Sequence, residues 1–297
     1  MNKPRIAVIG IPGKWSTEVL ADELEALTGF RLVVDMGDVV FDAVHNRLMA
    51  GDVDLASLDG LMVKKISEVY SPSTLDRLEL LRVAEARGVR VFSPASSMLR
   101  LVDRLSCTVT LRNHDIPMPE TCVTERIESA IASVRQFGEA VLKPLFSTKA
   151  RGMTLLSADQ SDAELEAALV AFQKDHPVMY LQKKLILSGR DLGLVFLGGE
   201  YLGAYARVAQ NDAWNTTIHS GGRYELAEPD ESIVAMAHKA QSLFDMDFTT
   251  VDIAESSEGA ICFEVSAFGG FKGALEGAGV NAAARYADYA VKAIAHG

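Results

Sequence analysis

Two carboxylates follow apolar runs in the C-terminal part of the chain, and their spacing suggests shared chemistry. Asp252 ends the run FTTVD, and Glu264 follows the run AICF twelve residues later. If both runs are neighbouring strands, the two side chains lie at the same end of a sheet. They would then form a hard, oxygen-lined cation site of the kind that Mg²⁺ accepts beside nucleotide phosphates. The alternative is that each carboxylate is paired with a neighbouring arginine or lysine.

A glycine-rich turn comes after Glu264 and precedes a helical pattern. Gly269, Gly270 and Gly273 free backbone N–H groups to face an anion, and Lys272 adds positive charge there. Acidic residues next to an anion-binding turn predict ATP chemistry, with Mg²⁺ as the metal or Mn²⁺ in its place.

A second group of candidates lies at residues 143–152. Lys143 closes the apolar strand EAVLK and precedes Pro144, which keeps the backbone extended and holds the ammonium at the strand end. The next loop carries hydroxyl groups and cations that suit a flap over a triphosphate. Its candidate side chains are Ser147, Thr148, Lys149 and Arg151. The alternative interpretation is a solvated basic turn.

Two later polar segments are candidates for ligand binding. One leaves a strand and could bind adenine through its backbone, and the other is a glycine-bearing loop. The candidate residues are Gln182, Lys183, Lys184 and Leu185 in the first, and Asn215, Thr216, Thr217 and His219 in the second. The lysine pair is equally typical of a solvated surface, and a lone histidine such as His219 is more often structural than catalytic.

The segment GIPGKWS at residues 10–16 resembles a phosphate-binding P-loop, but its spacing fails. Val8 stands where the first glycine of that motif belongs, and Trp15 replaces the Ser or Thr that would bind the metal. The segment therefore predicts an ordinary strand-to-helix turn.

Composition limits the classes of function. The 297 residues carry a net charge of −11, which disfavours binding to nucleic acid or to an anionic membrane surface. No apolar run reaches the ~20 residues that a membrane span needs. The three widely spaced cysteines predict reduced core residues of a cytoplasmic protein, and the scattered histidines argue against a zinc site.

The pattern of elements divides the chain into an α/β part and an α+β part. Strands alternate with helices up to Pro94, which predicts a small parallel domain over residues 1–94. Beyond it we expect helices near 102–113 and 162–174, and strands at 139–143, 153–157 and 178–182. The segment LGLVFL-GG-EYLGAYAR predicts a β-hairpin. Two further strands and a final helix complete the chain.

Taken in order, these segments resemble the RimK-type branch of the ATP-grasp carboxylate–amine ligases. The strand–lysine element matches VLK ending at Lys143, and the family hinge Q-E-x-I matches Gln182-Lys183-Lys184-Leu185. The N-L-H-x-G-G loop matches residues 217–222, and Asp191 matches the acid that follows the hinge. The metal strands V-D-I and M-E-V-N-x-S-P-G are similar to VDI at 251–253 and FEVSAFGG at 263–270, and the family's D-K-L is DRL here, with Arg104.

The resemblance implies an α/β N-terminal domain at residues 1–94, followed by a two-lobed α+β ATP-grasp fold. The lobes would span residues 95–177 and 178–297 and hold ATP between them. It implies an ADP-forming ligase that makes an acyl phosphate from a carboxylate and then an amide with an amino acid. Glutamate is the expected amine donor, and a pterin or deazaflavin coenzyme or a peptide is the expected acceptor. Self-association is a further expectation.

The resemblance also implies roles for single residues. Asp252, Glu264 and Ser266 would hold the metal, and Arg104, Lys143 and the loop at 147–152 would neutralise the triphosphate. Arg207 and Lys272, with the turn at Gly269–Gly273, would hold the carboxylate or acyl phosphate. Lys64 and Lys65, at a strand end in the first domain, are candidates for an anionic acceptor, with solvated surface lysines as the alternative.

Departures from the family pattern leave a second function open. The flexible loop G-T-Q-G-I-G is STKARG here, the metal-binding asparagine is Ser266, and the arginine of Asp-Ile-Arg is Gly193. The alternative hypothesis is a nucleotide- or coenzyme-binding regulatory subunit with weakened catalysis.

Overall fold

A parallel four-stranded sheet with strand order β2-β1-β6-β7 forms the first domain. The computed structural model describes residues 3–147, 151–209, 222–256 and 259–296. The elements of this domain are β1 (Ile6–Ile9), α1 (Trp15–Thr28), β2 (Val33–Val34), β3 (Val40–Asp42), β4 (Arg47–Ala50), β5 (Val53–Asp54), β6 (Gly60–Val63), α2 (Pro72–Ala86) and β7 (Arg90–Phe92). Every residue of β1 and β6 is buried, as expected for parallel strands covered on both faces.

The chain leaves β1 for β2 on one side and returns to β6 on the other side. The carboxyl ends of β1 and β6 therefore flank the point where the strand order reverses, which is the usual ligand crevice of an open α/β sheet. The turn from β1 to α1 is the ordinary strand-to-helix connection that the sequence predicted, with Gly13 at φ +76°.

A small antiparallel sheet of β3, β4 and β5 was not predicted. Its strands are two to four residues long, and Val40 and Phe41 are exposed, so no alternating pattern marks them. Two helices follow the first domain, α3 (Ala95–Val102) and α4 (Arg104–Asn113). The prediction of one helix near 102–113 missed the first of them, and the Asp103 side chain accepts a hydrogen bond from the Leu105 N–H where the second begins.

The central lobe is an antiparallel sheet with strand order β10-β9-β11-β8. Its elements are β8 (Thr121–Thr124), α5 (Ile127–Phe137), β9 (Glu139–Lys143), β10 (Thr154–Ser157), α6 (Asp162–Gln173) and β11 (Met179–Lys183). A capping box between Ser161 and Glu164 begins α6. Because β11 pairs with β8 and β9, a boundary at residue 178 would separate it from its sheet. We propose a boundary after Lys183 instead.

The C-terminal lobe is an antiparallel sheet with strand order β14-β13-β12-β15-β16. Its elements are β12 (Leu187–Leu197), β13 (Glu200–Val208), β14 (Arg223–Ala227), α7 (Glu231–Ser242), β15 (Phe248–Ser256), β16 (Gly259–Val265), α8 (Phe271–Glu276) and α9 (Ala282–His296). The predicted hairpin is confirmed: Gly198 and Gly199, both with positive φ, join β12 to β13.

Three hydrophobic cores hold these parts together. Two of them combine side chains of the first domain with side chains of the C-terminal sheet, and α9 packs back against α1 and β6. The third core belongs to the central lobe alone and contains Leu142, Leu165 and Leu181. Over the residues described, no helix combines the length and the apolar character that a membrane crossing requires.

Candidate active site

Asp252 and Glu264 face each other across two neighbouring strands. They are direct partners in the antiparallel register of β15 and β16, so their side chains project from the same face of the sheet. Side chains in such a pair have Cβ atoms about 4.5–5.5 Å apart. Asp252 is largely buried and its Oδ1 has no hydrogen-bond partner among the described residues, whereas Glu264 is 44% exposed. The predicted juxtaposition of these two carboxylates is therefore present.

Arg207 lies beside Asp252 and connects it to Asp191. The Arg207 Nε donates to Asp191 Oδ2 at 2.8 Å, its Nη2 also contacts Asp191, and that Nη2 lies 3.0 Å from Asp252 Oδ2. Burial alone would lower the pKa of Arg207, but the charges of Asp252 and Asp191 outweigh it and raise that pKa well above its ordinary value. Asp191 thus orients Arg207, and the expectation that Asp191 contacts nucleotide gains no support from this contact.

The pKa of Asp252 is raised to about 7, chiefly by burial and against the opposing effect of Arg207. A nearby divalent cation would favour the ionised carboxylate, and the unpartnered Oδ1 is available to it. No group of three His, Cys, Asp or Glu side chains in the described ranges could enclose a metal. A cation here would therefore need oxygen atoms of phosphate, water or Ser266 in addition to the two carboxylates.

Ser266 follows β16, and its backbone is fixed by two contacts. Its N–H donates to the Thr250 carbonyl at 2.8 Å, and its carbonyl accepts from the Thr249 hydroxyl at 2.7 Å. These bonds fix the Ser266 backbone against β15. Ser266 also lies only two residues after Glu264 in the sequence. Its hydroxyl remains a candidate metal ligand.

Arg104 joins α4 to the start of the predicted flap and to β16. Its Nη1 lies 3.4 Å from Glu264 Oε2, its Nη2 donates to the Ser147 hydroxyl at 3.3 Å, and its Nε donates to the Pro144 carbonyl at 3.2 Å. The structure thus brings together three predicted site residues that are far apart in sequence. Both principal carboxylates are paired with arginines, as the alternative interpretation required, but these arginines are themselves part of the cluster.

Lys143 ends β9 with its ammonium buried. Its Nζ donates to the Gln182 Oε1 at 2.5 Å and lies 5.5 Å from the centroid of the Phe263 ring. Burial, with a smaller effect from Arg104, lowers the pKa of Lys143 to about 7. The Gln182 amide in turn donates to the Tyr180 hydroxyl at 3.2 Å, so Gln182 positions the lysine with its side chain.

The hinge residues Lys183 and Lys184 use their side chains and N–H groups within the central lobe. Their ammonium groups pair with Glu120 at 2.7 Å and Glu139 at 3.0 Å, and their N–H groups donate to the carbonyls of the same two residues. The N–H groups of both lysines are therefore engaged within the central lobe, and an adenine contact through the backbone carbonyls of this segment stays a prediction. Leu185 lies between β11 and β12, outside both strands, and its N–H is the remaining candidate donor of the hinge.

The glycine-rich turn is built differently from the expectation. Gly270 caps α8, and Gly273 lies inside that six-residue helix, where a Cβ would meet the Tyr205 ring at 2.4 Å. The Gly269 carbonyl accepts a hydrogen bond from Lys64 Nζ at 2.7 Å. Gly273 is thus required for close packing, and its N–H, which lies in the first turn of α8, stays a prediction for anion binding.

Lys64 and Lys272 also have other partners than predicted. Lys64 is 6% exposed, and its Nζ lies 4.3 Å from the centroid of the Phe271 ring, so it fastens the first domain to the turn at Gly269. Lys272 is exposed and lies 3.6 Å from Glu276 along α8. Neither contact supports the predicted role in holding acceptor or acyl phosphate.

The remaining candidates differ in what the structure says of them. Lys65 is half-buried at the end of β6, and Arg151 is exposed. Thr148, Lys149, Asn215, Thr216, Thr217 and His219 lie outside the described residues. Sequence analysis did not identify Tyr205 as a site residue. The one available indication was its position on the same strand as Arg207, two residues earlier.

Known proteins match the chain over most of its length. The model of the RimK-like ATP-grasp domain matches residues 102–290. The chain is 26% identical to the tetrahydromethanopterin:alpha-L-glutamate ligase of Methanosarcina acetivorans, over 87% of this chain and 84% of that protein. It is 24% identical to the glutamate–LysW ligase ArgX of Sulfurisphaera tokodaii, over 70% of this chain and 74% of that protein.

Solved structures share the whole fold. The ATP-grasp ligase PsnB in complex with a minimal precursor has a TM-score of 0.76 at 17% identity and covers 99% of this chain and 100% of its own. The RimK domain protein of Sphaerobacter thermophilus has a TM-score of 0.74 at 21% identity, with coverages of 96% and 98%. The expected α/β domain followed by a two-lobed ATP-grasp fold is confirmed.

Proposed function

This chain belongs to the RimK-like ATP-grasp family and is therefore a ligase that uses ATP to form C–N bonds; we propose that it joins the amine of glutamate to the carboxylate of a coenzyme or peptide. The observation that carries the proposal is the pair of Asp252 and Glu264, which face each other in register with Arg207 and Arg104 beside them. Relatives named for glutamate together with tetrahydromethanopterin or LysW support the choice of substrates.

The residues present fit a divalent cation. The two carboxylates supply hard oxygen ligands, and Oδ1 of Asp252 is buried without a partner among the described residues. We assign Mg²⁺, with Mn²⁺ as a substitute, to Asp252 and Glu264, with Ser266 as the third candidate. When bound, the cation would supply positive charge that neutralises the phosphates of ATP.

The reaction proceeds in two displacements. An oxygen of the acceptor carboxylate attacks the γ-phosphorus of ATP, the bond to the β-phosphate oxygen breaks, and ADP leaves with the electron pair. The glutamate amine then attacks the acyl carbon, phosphate leaves, and the amine loses its proton to solvent. Arg104 and Lys143 stabilise the charge on the triphosphate, and Arg207 holds the acyl phosphate, so the protein acts mostly by positioning and electrostatics.

The acceptor binds, in this proposal, at the crevice between the carboxyl ends of β1 and β6. The two loops there carry Lys14 and Lys65, and Lys64 ties this edge to the Gly269 turn. The pKa of the Glu68 carboxyl in this crevice is lowered chiefly by its hydrogen bond to Lys14 and by the charge of Lys14, with smaller contributions from Lys65 and from Arg151 on the flap. These cations suit an acceptor that carries carboxylate or phosphate groups.

The experiment is a screen for ADP release. The purified protein is incubated with MgATP, glutamate and a set of acids that includes reduced pterins, deazaflavins and carrier peptides. A ligase releases ADP and phosphate in equal amounts and yields a product one glutamyl residue heavier by mass spectrometry. A regulatory subunit binds nucleotide and releases no ADP.

The matched variants are Glu264→Gln and Glu276→Gln. The first removes a proposed metal ligand and should abolish turnover with an unchanged thermal midpoint. The second alters an exposed glutamate on α8 and should leave turnover intact. Full activity of Glu264→Gln would refute the metal assignment.

A further inference from the structure

Tyr205 extends the row of residues that contains the two carboxylates. Gly193 on β12 pairs with Tyr205 on one side and with Asp252 on the other, and Asp252 pairs with Glu264. Adjacent strands are about 4.8 Å apart, which is less than the length of a tyrosine side chain. A Cβ at Gly193 would lie 2.4 Å from Tyr205 Cζ and 2.7 Å from its Oη. The phenol therefore lies over Gly193, in line with Asp252.

The ring is held in this orientation from the opposite side by α8. A Cβ at Gly273 would lie 2.4 Å from the Tyr205 Cζ, and one at Gly277 would lie 2.4 Å from its Cβ. Glycines on two separate elements thus leave a slot of the thickness of one aromatic ring. A Cβ at Gly270 would meet only the Tyr205 Oη, at 3.3 Å, so the hydroxyl ends beside the cap of α8.

The hydroxyl of Tyr205 has no hydrogen-bond partner within the part of the chain that the structure describes, although the residue is only 3% exposed. Its oxygen is not one of the enclosed, unpartnered side-chain atoms of the described residues, so it reaches the solvent-accessible surface, where a ligand can contact it. Burial raises the pKa of Tyr205, Arg207 lowers it and Asp252 raises it further, so the phenol stays neutral and can donate a hydrogen bond.

We propose that the Tyr205 hydroxyl donates a hydrogen bond to an oxygen of the phosphoryl group in transfer, beside Arg207. This inference rests on the proposed function, because it names a further donor for the same reaction. No bond to the tyrosine forms or breaks: the carboxylate oxygen gains the phosphorus, ADP leaves with the electron pair, and the phenol keeps its proton. A donor fixed before the reaction stabilises the developing charge without reorganisation.

The direct test is Tyr205→Phe, which keeps the ring in its slot and removes only the hydroxyl. The expected result is a fall in kcat of about 10- to 100-fold, as for the loss of one hydrogen bond to a charged group, with KM for ATP changed by less than about threefold. The matched control is Tyr224→Phe, whose half-buried ring contacts Tyr205 edge-on at 5.3 Å between centroids, and its kcat should match the wild type. A wild-type kcat in Tyr205→Phe, or a loss that accompanies a lower thermal midpoint, overturns the proposal.

A binding experiment separates this inference from the proposed function. ADP and Mg²⁺ are titrated into the protein by calorimetry with and without aluminium fluoride, which mimics a phosphoryl group in transfer. The wild type should bind ADP more tightly when the mimic is present, and Tyr205→Phe should lose about tenfold or more of that gain while its affinity for ADP alone is unchanged. An equal gain in both proteins overturns the inference, and this holds even if no acceptor is ever found.

Discussion

Replacing Lys64 by methionine should change how the stability of the protein depends on pH. The Lys64 ammonium is buried, donates one hydrogen bond to the Gly269 carbonyl at 2.7 Å and lies over the Phe271 ring. Burial, with a smaller effect of Lys65, lowers its pKa from 10.5 to about 7. Methionine has a similar length and carries no charge, so it removes the titration while it retains most of the packing.

The sign and size of the effect follow from linkage. Because the pKa of Lys64 is depressed in the folded state, the unfolded chain binds more protons between about pH 7 and pH 10. The free energy of unfolding therefore rises with pH in this range and falls again as pH drops toward 7. For this one group the rise from pH 7 to pH 9 amounts to about 2 kcal/mol.

Urea denaturation at pH 7, 8 and 9 measures the effect as a difference between wild type and Lys64→Met. The difference in the free energy of unfolding between these two proteins should change by about 2 kcal/mol across this range. The control is Lys272→Met, which alters an exposed lysine, and its free energy of unfolding should depend on pH as that of the wild type does. Since other groups titrate equally in both proteins, only the difference is informative. Parallel curves for wild type and Lys64→Met would refute a neutralised, buried Lys64.

Three further changes have expected outcomes. Gly273→Ala places a Cβ 2.4 Å from the Tyr205 ring and should lower the free energy of unfolding by about 1–3 kcal/mol. The control Gly270→Ala meets only the Tyr205 hydroxyl, at 3.3 Å, and should lower it by less than about 1 kcal/mol. Equal losses in the two variants would contradict the close packing of Tyr205 against Gly273. Ser161→Ala removes the capping box of α6 and should cost about 1 kcal/mol in urea denaturation, and a smaller effect than about 0.3 kcal/mol would mean that the cap is dispensable. Arg104→Met should raise the Kd for ATP about tenfold by calorimetry, because a charge-assisted contact is lost, and an unchanged Kd would exclude Arg104 from the nucleotide site.

Local patterns predicted the features that depend on local chemistry. The apolar run that ends at Lys143 identified the end of β9, and the run FTTVD identified β15, although that strand continues past Asp252 to Ser256. The pair Gly198-Gly199 identified the hairpin, because turn geometry depends on adjacent residues. The facing position of Glu264 followed from the same reasoning. Family resemblance supplied the order of the lobes.

Contacts between distant segments could not be predicted from those patterns. From the sequence alone, Gly273 is interpreted as a flexible turn residue. Its packing role depends on Tyr205, which lies on a different element, so the sequence near Gly273 does not indicate it. Lys64 reads as a solvated lysine because nothing near it in sequence shows that α8 covers it. The small strands β3–β5 were missed for another reason: short, partly exposed strands carry little periodicity.

The distribution of hydrophobic cores decides which part of the molecule can move. The first domain and the C-terminal sheet share two cores and are tied again by Lys64 and α9, so they form one body. The central lobe has its own core and joins that body through the segment between α4 and β8, through the connection around Leu185, and through contacts such as that of Arg104 with the Pro144 carbonyl. We therefore expect substrate entry and product exit to involve a rigid-body movement of the central lobe, while the crevice at β1 and β6 keeps its shape.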